Sequence, residues 1–371
     1  MILIITSILL FVLYGSLMLY YFFGWKKIIP FKSDVQSPAT RFSVIIAARN
    51  EEESIGSLLS ALNNQSYPPE LFEVIVVDDH STDRTAEVVK QFENIKLVTL
   101  NEPGQNSYKK KAIETGILHA TGDLIVTTDA DCLPGKYWLS TMDAFHQTNN
   151  PVFIAAPVVF HHQNNILEIF QELDFLTLQG ITAVSVYSKL FGMSNGANMA
   201  YSRKIFYEVG GFSGVDKIAS GDDMLLMNKI WDKDKQKIHY LLSKDAIVST
   251  PPMKTWKTFL NQRIRWASKA PYYKNITITI VMLVVYFFNL LFLLLFVAGF
   301  WKAEYWYWLI GLWIAKTLIE WPFVHSVAKF YGKQNLMKYY FLFQPLHVLY
   351  TIAAGFLGQF GTYEWKGRKV K

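Results

Sequence analysis

Two stretches of the chain are strongly apolar and contain no Asp, Glu, Lys, Arg or His. They cover residues 1–25 and 275–301. Each is longer than the roughly 20 residues with which a helix spans the hydrocarbon core of a bilayer. The pattern therefore predicts a transmembrane anchor at residues 1–25 and a C-terminal transmembrane region at residues 276–362, with its clearest helix at the start.

Two further apolar segments lie in the C-terminal region, at Tyr305–Val324 and Tyr339–Phe360. The first contains Lys316 and Glu320, whose i, i+4 spacing suits an ion pair inside a helix bundle. If all three C-terminal segments crossed the membrane, the basic tail at residues 363–371 would lie outside, against the tendency of basic residues to remain inside. We therefore expect one of these segments to be re-entrant or interfacial.

The N-terminal anchor has basic residues on one side. Lys26, Lys27 and Lys32 follow it closely, and nothing basic except the amino terminus precedes it. The positive-inside bias places the next segment in the cytoplasm. Because the anchor lacks a basic leading region and a small-residue cleavage site, we interpret it as uncleaved. The expected location is the cell membrane, with several spans and a cytoplasmic central domain.

Residues 40–250 alternate between strand-like and helix-like patterns. Near-continuous apolar runs occur at Phe42–Ala48, Glu73–Val77, Lys96–Leu100 and Asp123–Thr128, separated by polar turns and amphipathic runs. This alternation favours an α/β domain in which helices cover both faces of a parallel sheet. In such sheets, ligands bind beyond the carboxyl ends of the strands.

Polar clusters follow three of these strands at their carboxyl ends. They are Ala48–Glu51, Asp78–Asp79 and Asp129–Asp131. Turn and helix-cap chemistry explains each cluster alone, but three clusters at one sheet edge favour a binding site. No Gly-x-Gly-x-x-Gly run follows the first strand, which disfavours a dinucleotide-binding fold, and no Walker lysine motif is present.

Asp129 and Asp131 are candidate metal ligands. Carboxylates at i and i+2 share one face of a continuing strand, and burying both without partners has a large desolvation cost. A divalent cation would neutralise them, and hard oxygen ligands suit Mg²⁺ or Mn²⁺. The alternative for an isolated pair is a cap on the following helix.

Two further motifs lie later in the chain. Asp222 and Asp223 open a predicted helix at Met224–Trp231, where an acidic pair also acts as a helix cap. The run Gln262–Trp266 lies in a basic, aromatic segment at residues 251–275 that suits an amphipathic helix at the bilayer surface. On the opposite face of that helix, an arginine and the tryptophan could reach a diphosphate and an acceptor.

Composition excludes some classes of protein. The formal net charge is +6, and 51% of the residues are hydrophobic. No stripe of Lys and Arg alternates with stacking aromatic residues in the polar middle of the chain. We therefore assign the basicity to a membrane surface and expect no nucleic acid partner. The single cysteine, Cys132, excludes an intramolecular disulfide.

Five motifs resemble, in order, the signatures of family-two glycosyltransferases of the GT-A fold. They are Val44–Glu52, Val77–Asp83, Asp129–Asp131, Gly221–Asp223 and Gln262–Trp266. The resemblance implies a Rossmann-like GT-A domain over residues 40–250. With its apolar flanks, the chain is similar to members that act on lipid or polymer acceptors.

The resemblance also implies roles for individual residues. Those implied to hold a nucleotide-sugar are Ala47, Arg49, Glu51, Asp78, Asp79, Lys109, Asp129 and Asn198. Asp131, with Asp129, would bind the metal. Asp223 would be the catalytic base, in a pair with Asp222 that stands where the family more often has Glu-Asp. Gln262, Arg265 and Trp266 would close over the diphosphate and the acceptor.

These roles describe single-displacement transfer with inversion at the anomeric carbon. A metal and a cation would neutralise the leaving diphosphate, and a carboxylate would take the proton of the acceptor hydroxyl. We expect a UDP-sugar rather than a GDP-sugar, Mg²⁺ or Mn²⁺, and a lipid or lipid-linked acceptor at the cytoplasmic face. The alternatives are a small processive polysaccharide synthase and an inactive nucleotide-sugar-binding scaffold, although the presence of both Asp131 and Asp223 favours an enzyme.

Overall fold

A computed structural model describes residues 1–33, 37–100, 108–161, 165–216, 218, 221–360, 363–365 and 368–370. Its α-helices are α1 (Ile2–Lys27), α2 (Ile55–Asn63), α3 (Thr85–Val89), α4 (Tyr108–Leu118), α5 (Trp138–Asn149), α6 (Ile166–Tyr187), α7 (Arg203–Glu208), α8 (Asp222–Asp234), α9 (Trp256–Ala267), α10 (Ile276–Gly299), α11 (Glu304–Phe330) and α12 (Tyr340–Phe360). Its strands are β1 (Phe42–Ala48), β2 (Phe72–Asp78), β3 (Ile95–Thr99), β4 (Leu124–Asp129), β5 (Leu133–Pro134), β6 (Phe153–Ala155), β7 (Val158–Phe160), β8 (Met199–Ser202), β9 (Ile238–Tyr240), β10 (Val248–Thr250), β11 (Tyr363–Trp365) and β12 (Arg368–Val370). Short 3-10 helices lie at Pro69–Leu71, Lys235–Lys237, Ala270–Tyr272 and Gln334–Tyr339.

One of two compact units, the α/β unit, consists of Ile29–His162 and Ser185–Pro251. Its main sheet has the strand order β3-β2-β1-β4-β8-β6-β9. The first four strands pair in parallel, whereas β8 pairs antiparallel with both β4 and β6. The expected parallel sheet is confirmed for β1–β4. The whole sheet is mixed, because β8 is antiparallel to both of its neighbours, whereas β6 and β9 pair in parallel. The additional strands β6, β8 and β9 are only three or four residues long, too short to give a strand pattern in the sequence.

The central strands are buried along most of their length, as their near-continuous apolar sequences predict. Helix α4 packs closely on this sheet at Gly116. An added Cβ at Gly116 would lie 2.5 Å from Cγ2 of Ile45 in β1, so the close approach requires glycine. This packing fixes the position of α4, whose first turn contains Lys109.

The other compact unit, the helical unit, consists of Met1–Ile28, Gln163–Val184 and Pro252–Lys371. It contains α1, α9–α12 and most of α6. Most of α6 therefore groups with these helices and not with the α/β domain, which the sequence predicts as one continuous segment over residues 40–250. In the basic tail, β11 and β12 pair antiparallel.

Within the described residues, three helical segments are long and apolar enough to cross a membrane, judged by length and composition. They are Ile2–Lys27, Ile276–Gly299 and Gln334–Phe360. Helix α11 contains the expected apolar segment Tyr305–Val324 but lies outside this set.

The ion pair predicted between Lys316 and Glu320 is present, with 2.6 Å between Nζ and Oε1, and both side chains are buried. Glu320 also accepts hydrogen bonds from Tyr14 of α1 and from Tyr340 and Gln344 of α12. Buried charges require such partners. One carboxylate therefore joins α1, α11 and α12.

Candidate active site

The carboxyl ends of β1, β2 and β4 bring the three polar clusters together. In the register of the sheet, Ala48 lies opposite Asp78 and Ala47 lies opposite Asp129. The backbone N–H of Asp79 donates to the carbonyl oxygen of Ala48 at 2.8 Å. The predicted convergence of these clusters at one sheet edge is confirmed.

Hydrogen bonds hold the turns after β1 and β2 together. Asn50 and His80 have φ angles of 53° and 54°, a strained conformation that persists where the surrounding structure imposes it. The side-chain oxygen of Asn50 accepts from the backbone N–H of Thr82 at 2.8 Å. Arg49 Nη1 donates to the carbonyl oxygen of Asp79 at 2.8 Å. The two turns therefore form one preformed surface at the sheet edge.

The aspartates after β2 are oriented by their own turn. Asp78 and Asp79 are both buried. Oδ1 of Asp78 accepts a 3.3 Å hydrogen bond from a backbone N–H three residues later. Oδ1 of Asp79 lies 3.1 Å from Nδ1 of His80. These carboxylates are thus held in place at the edge where β1 and β4 also end.

Asp129, Asp131 and Cys132 form a group whose candidate ligand atoms all lie within 4.8 Å of one another. Burial raises the pKa of the Cys132 thiol, and the neighbouring Asp129 and Asp131 carboxylates raise that pKa further. A thiolate suits softer metals, whereas carboxylates suit hard cations, so Asp129 and Asp131 are the donors in this group that fit Mg²⁺ or Mn²⁺. Carboxylate oxygens suit Mg²⁺ or Mn²⁺, so this donor set fits the metals expected from the sequence.

Lys109 connects this acidic group to the Asp222–Asp223 pair. Its Nζ lies 2.6 Å from Oδ1 of Asp129 and 3.1 Å from Oδ2 of Asp222. Burial acts to lower the pKa of the Lys109 ammonium, but the attraction of Asp129 and then Asp222 outweighs burial and raises that pKa above its ordinary value. Lys109 is therefore a cation at neutral pH, placed between two carboxylates.

Asp222 and Asp223 lie in the first turn of α8, directly after Gly221 at a φ of 85°. Glycine adopts this left-handed conformation at no steric cost. Asp223 accepts hydrogen bonds from the backbone N–H of Gly196 at 3.2 Å and from that of the following residue at 2.7 Å. An added Cβ at Gly196 would lie 3.1 Å from Oδ2 of Asp222. The sequence motifs do not identify Gly196 as a site residue. A glycine inside a polar turn is the only feature of the sequence that could have indicated its role.

Asn198 has a different environment from the one that the resemblance implies. Its side chain is fully buried. Nδ2 donates to the carbonyl oxygens of Pro157 at 2.8 Å and Ala246 at 2.7 Å, and Oδ1 accepts from the Trp138 indole at 3.0 Å. Both amide hydrogens are therefore used within the protein. This packing gives Asn198 a structural role and does not support the predicted contact with the sugar.

Gln262, Arg265 and Trp266 lie on α9, in the helical unit. Between them, the buried Arg263 donates to Asp174 of α6 at 3.0 and 2.7 Å. Arg263 also donates to Oε1 of Gln262 at 2.6 Å, and its guanidinium carbon lies 4.3 Å from the centroid of the Trp266 ring. Arg263 thus orients two of the three motif residues. The resemblance assigns no role to Arg263 or Asp174. An aspartate inside an apolar helical run is the sequence feature that could have indicated a buried ion pair.

Known proteins resemble this chain over its central part. Residues 43–210 match the sequence model of Glycosyl transferase family 2. A probable glycosyltransferase of Bacillus subtilis, YdaM, is 28% identical over 256 residues, which cover 67% of this chain and 59% of that protein. A beta-monoglucosyldiacylglycerol synthase of Nostoc sp. is 33% identical over 106 residues, which cover 27% of this chain and 22% of that protein. The chain therefore matches less than two thirds of the length of either relative.

A solved structure has a similar fold. The mannosyltransferase PcManGT from Pyrobaculum calidifontis, in complex with GDP-Man and Mn²⁺, matches with a TM-score of 0.60 at 20% identity, over 96% of this chain and 99% of that chain. The mixed α/β sheet, with acidic side chains at the carboxyl ends of its parallel strands, defines a fold of the GT-A glycosyltransferase class. Residues 43–210, less than half of the chain, are similar to glycosyltransferase family 2.

Proposed function

We propose that the protein transfers a sugar from a nucleotide-sugar to a lipid or lipid-linked acceptor, in a metal-dependent reaction that inverts the anomeric carbon. The proposal rests on one observation: Lys109 lies between Asp129 and Asp222, beside the two preformed turns at the edge of the sheet. The match of residues 43–210 to the sequence model of Glycosyl transferase family 2 supports the same reaction class.

The nucleoside would bind to the surface formed by the turns after β1 and β2. The residues proposed to contact it are Ala47, Arg49, Glu51, Asp78 and Asp79. Hydrogen bonds between these turns support the proposal, since a preformed site loses little conformational entropy on binding. We propose a UDP-sugar as the donor. The related mannosyltransferase was solved with GDP-Man, so both nucleotides belong in the test.

The donor diphosphate would lie near the end of β4. Asp131 and Asp129 would hold Mg²⁺ or Mn²⁺, which neutralises negative charge on the leaving diphosphate. Lys109 supplies a second positive charge beside Asp129. Cations beside the diphosphate stabilise the charge that develops on a leaving group.

Asp223 is the proposed general base. Two backbone N–H groups orient its carboxylate, whereas the neighbouring Asp222 is paired with Lys109. We assign the two aspartates different roles on the basis of these contacts. Asp223 would accept the proton of the acceptor hydroxyl as that oxygen attacks the anomeric carbon, and Asp222 would hold Lys109 in position.

We further propose that Gln262, Arg265 and Trp266 act on the diphosphate and the acceptor. Hydrogen bonding and stacking by Arg263 support an ordered arrangement of Gln262 and Trp266. Trp266→Ala should reduce turnover, whereas Trp256→Ala, which removes a 45% exposed indole from the same helix, should not. Equal effects of the two substitutions would refute a specific role for Trp266.

A lipid acceptor is supported by the helical unit. Three helical segments among the described residues are apolar and long enough to cross a membrane, and one relative is a beta-monoglucosyldiacylglycerol synthase. We propose a cell-membrane location with the α/β unit on the cytoplasmic side. Lys26 and Lys27 in the last turn of α1, and Lys32 shortly after it, support this orientation.

A panel of donors tests the proposed function. Membranes containing the full chain are incubated with radiolabelled UDP- and GDP-sugars in the presence of Mg²⁺, Mn²⁺ or EDTA, and lipid is separated from polymer. We expect label from a UDP-sugar in a lipid product that carries one sugar, and no transfer in EDTA. Label in polymer would indicate a processive synthase instead. Donor binding without any transfer would indicate an inactive scaffold.

A further inference from the structure

Lys109 occupies a position for which a bound metal would compete. Its Nζ donates to Oδ1 of Asp129 at 2.6 Å, and Oδ2 of Asp222 lies 3.1 Å away. The side chains of Lys109, Asp222 and Asp129 are 23%, 8% and 37% exposed. Solvent ions therefore screen the contact with Asp222 weakly and the contact with Asp129 more strongly. An ammonium group is therefore already bonded to one carboxylate of the proposed metal site.

The helix that carries Lys109 is held in place, whereas the Lys109 side chain has several rotatable bonds. Gly116 allows α4 to approach β1 closely. The next residue, Lys110, is buried and donates to the carbonyl oxygen of Ile218. A lysine ammonium is a compact charge on a flexible four-carbon stem. It can therefore change partners without any movement of α4.

A divalent cation approaching Asp129 would meet a positive charge that is already bonded to that carboxylate. Charges a few ångströms apart in a partly buried site interact strongly. Lys109 both repels the metal and neutralises part of the negative charge that would attract it. A diphosphate would change this balance, because it brings oxygens that two cations can share.

We propose that Lys109 is an internal cation that holds Asp129 when no donor is bound and moves to the diphosphate when donor and metal bind together. This inference rests on the proposed function, since it takes the metal at Asp129 and Asp131 and a nucleotide donor as given. Metal and nucleotide then bind cooperatively, and Lys109 is the residue that couples them.

Binding of Mn²⁺ to the purified full chain tests this coupling without any measurement of activity. Free Mn²⁺ is followed by its electron paramagnetic resonance signal, without nucleotide and with UDP or GDP. We expect nucleotide to tighten Mn²⁺ binding to the unmodified chain. Without nucleotide, Lys109→Met should bind Mn²⁺ about tenfold more tightly than the unmodified chain, and nucleotide should tighten its binding less.

Two variants serve as controls for charge and for folding. Lys109→Arg keeps the positive charge and should, like the unmodified chain, bind Mn²⁺ weakly when no nucleotide is present. Lys96→Met removes an exposed positive charge from β3 and should bind Mn²⁺ as tightly as the unmodified chain does. If Lys109→Met does not fold, as judged by circular dichroism and elution volume, Lys109→Gln is measured against the same controls.

The outcomes separate this inference from the proposed function. If Lys109→Met binds Mn²⁺ no more tightly than the unmodified chain without nucleotide, while Asp131→Ala abolishes binding with nucleotide, the role of Lys109 is refuted and the metal site stands. If the unmodified chain binds no Mn²⁺ with either nucleotide, the proposed metal-dependent function fails, and the role of Lys109 fails with it.

Discussion

Arg263 donates two hydrogen bonds to one carboxylate oxygen of Asp174, from Nε at 3.0 Å and from Nη2 at 2.7 Å. The two side chains are 4% and 3% exposed. Tyr350 of α12 donates to the other oxygen of the same carboxylate. One buried aspartate therefore connects α6, α9 and α12 within the helical unit.

Asp174→Asn should destabilise the helical unit by about 3–5 kcal/mol, because it leaves the guanidinium of Arg263 buried without a counter-charge. Replacing both partners, with Asp174→Asn and Arg263→Met together, should cost less, since no unpaired charge remains. Thermal unfolding of the purified chain in detergent measures both. A double variant that is less stable than Asp174→Asn alone would contradict this interpretation.

Asn198→Ala should reduce stability and leave the KM for the donor unchanged. The substitution leaves the carbonyl oxygens of Pro157 and Ala246 without their side-chain donor, and each unsatisfied buried group costs about 1–3 kcal/mol. Asn149→Ala, at an exposed position of α5, is the matched control for unfolding temperature. An increase in donor KM at unchanged stability would instead support the contact with the sugar that the resemblance implies.

Glu73 should make the α/β unit sensitive to acid. Burial acts to raise the pKa of Glu73, but hydrogen bonds from the Ser43 hydroxyl at 2.6 Å and from Thr121 at 2.6 and 2.7 Å outweigh burial and lower that pKa. A lowered pKa in the folded state contributes stability above the unfolded-state pKa of about 4.3, and this contribution is lost as pH falls through the folded-state pKa.

Glu73→Gln should therefore unfold at a lower temperature than the unmodified chain at pH 7, and the difference should narrow below about pH 4. Unfolding temperatures between pH 3 and pH 7 measure this difference. A constant difference across that range would show that the charge of Glu73 does not contribute.

Asp131→Ala should remove the metal dependence of nucleotide binding, because Asp131 is a proposed ligand of the cation that neutralises the diphosphate. Binding of UDP and GDP is measured by calorimetry with Mn²⁺ and with EDTA. Asp123→Ala removes an exposed carboxylate immediately before β4. Nucleotide binding to this variant should still depend on the metal. Mn²⁺-dependent binding that persists in Asp131→Ala would exclude this residue as a ligand.

The strands β1–β4 and the polar residues that follow β1, β2 and β4 could be predicted from the sequence because local features determine them. The strands have contiguous apolar sequences, and the residues that end them, such as Asp78 and Asp129, are polar. Parallel pairing of these strands then brings their carboxyl ends to the same sheet edge. The position of the candidate site at this sheet edge could therefore be predicted from the sequence, without information on contacts between side chains.

Other parts of the site depend on contacts between segments that are distant in the sequence. Gly196 acts through a backbone N–H that donates to Asp223, and a backbone donor leaves no side-chain pattern. Asn198 looked like a polar loop residue, but its amide is used by three buried partners. Arg263 could not be distinguished from Arg265 by sequence, since only its pairing with Asp174 shows that it is the buried arginine.

The proposed role of Asp223 is tested most directly by turnover of Asp223→Asn in the purified, membrane-embedded chain. The substitution keeps the size of the side chain and removes the base. We expect transfer to fall by about 10²- to 10⁴-fold, with Mn²⁺-dependent nucleotide binding unchanged. Asp232→Asn, at an exposed position of the same helix, should transfer sugar at the unmodified rate. Unchanged turnover of Asp223→Asn would contradict the proposed mechanism.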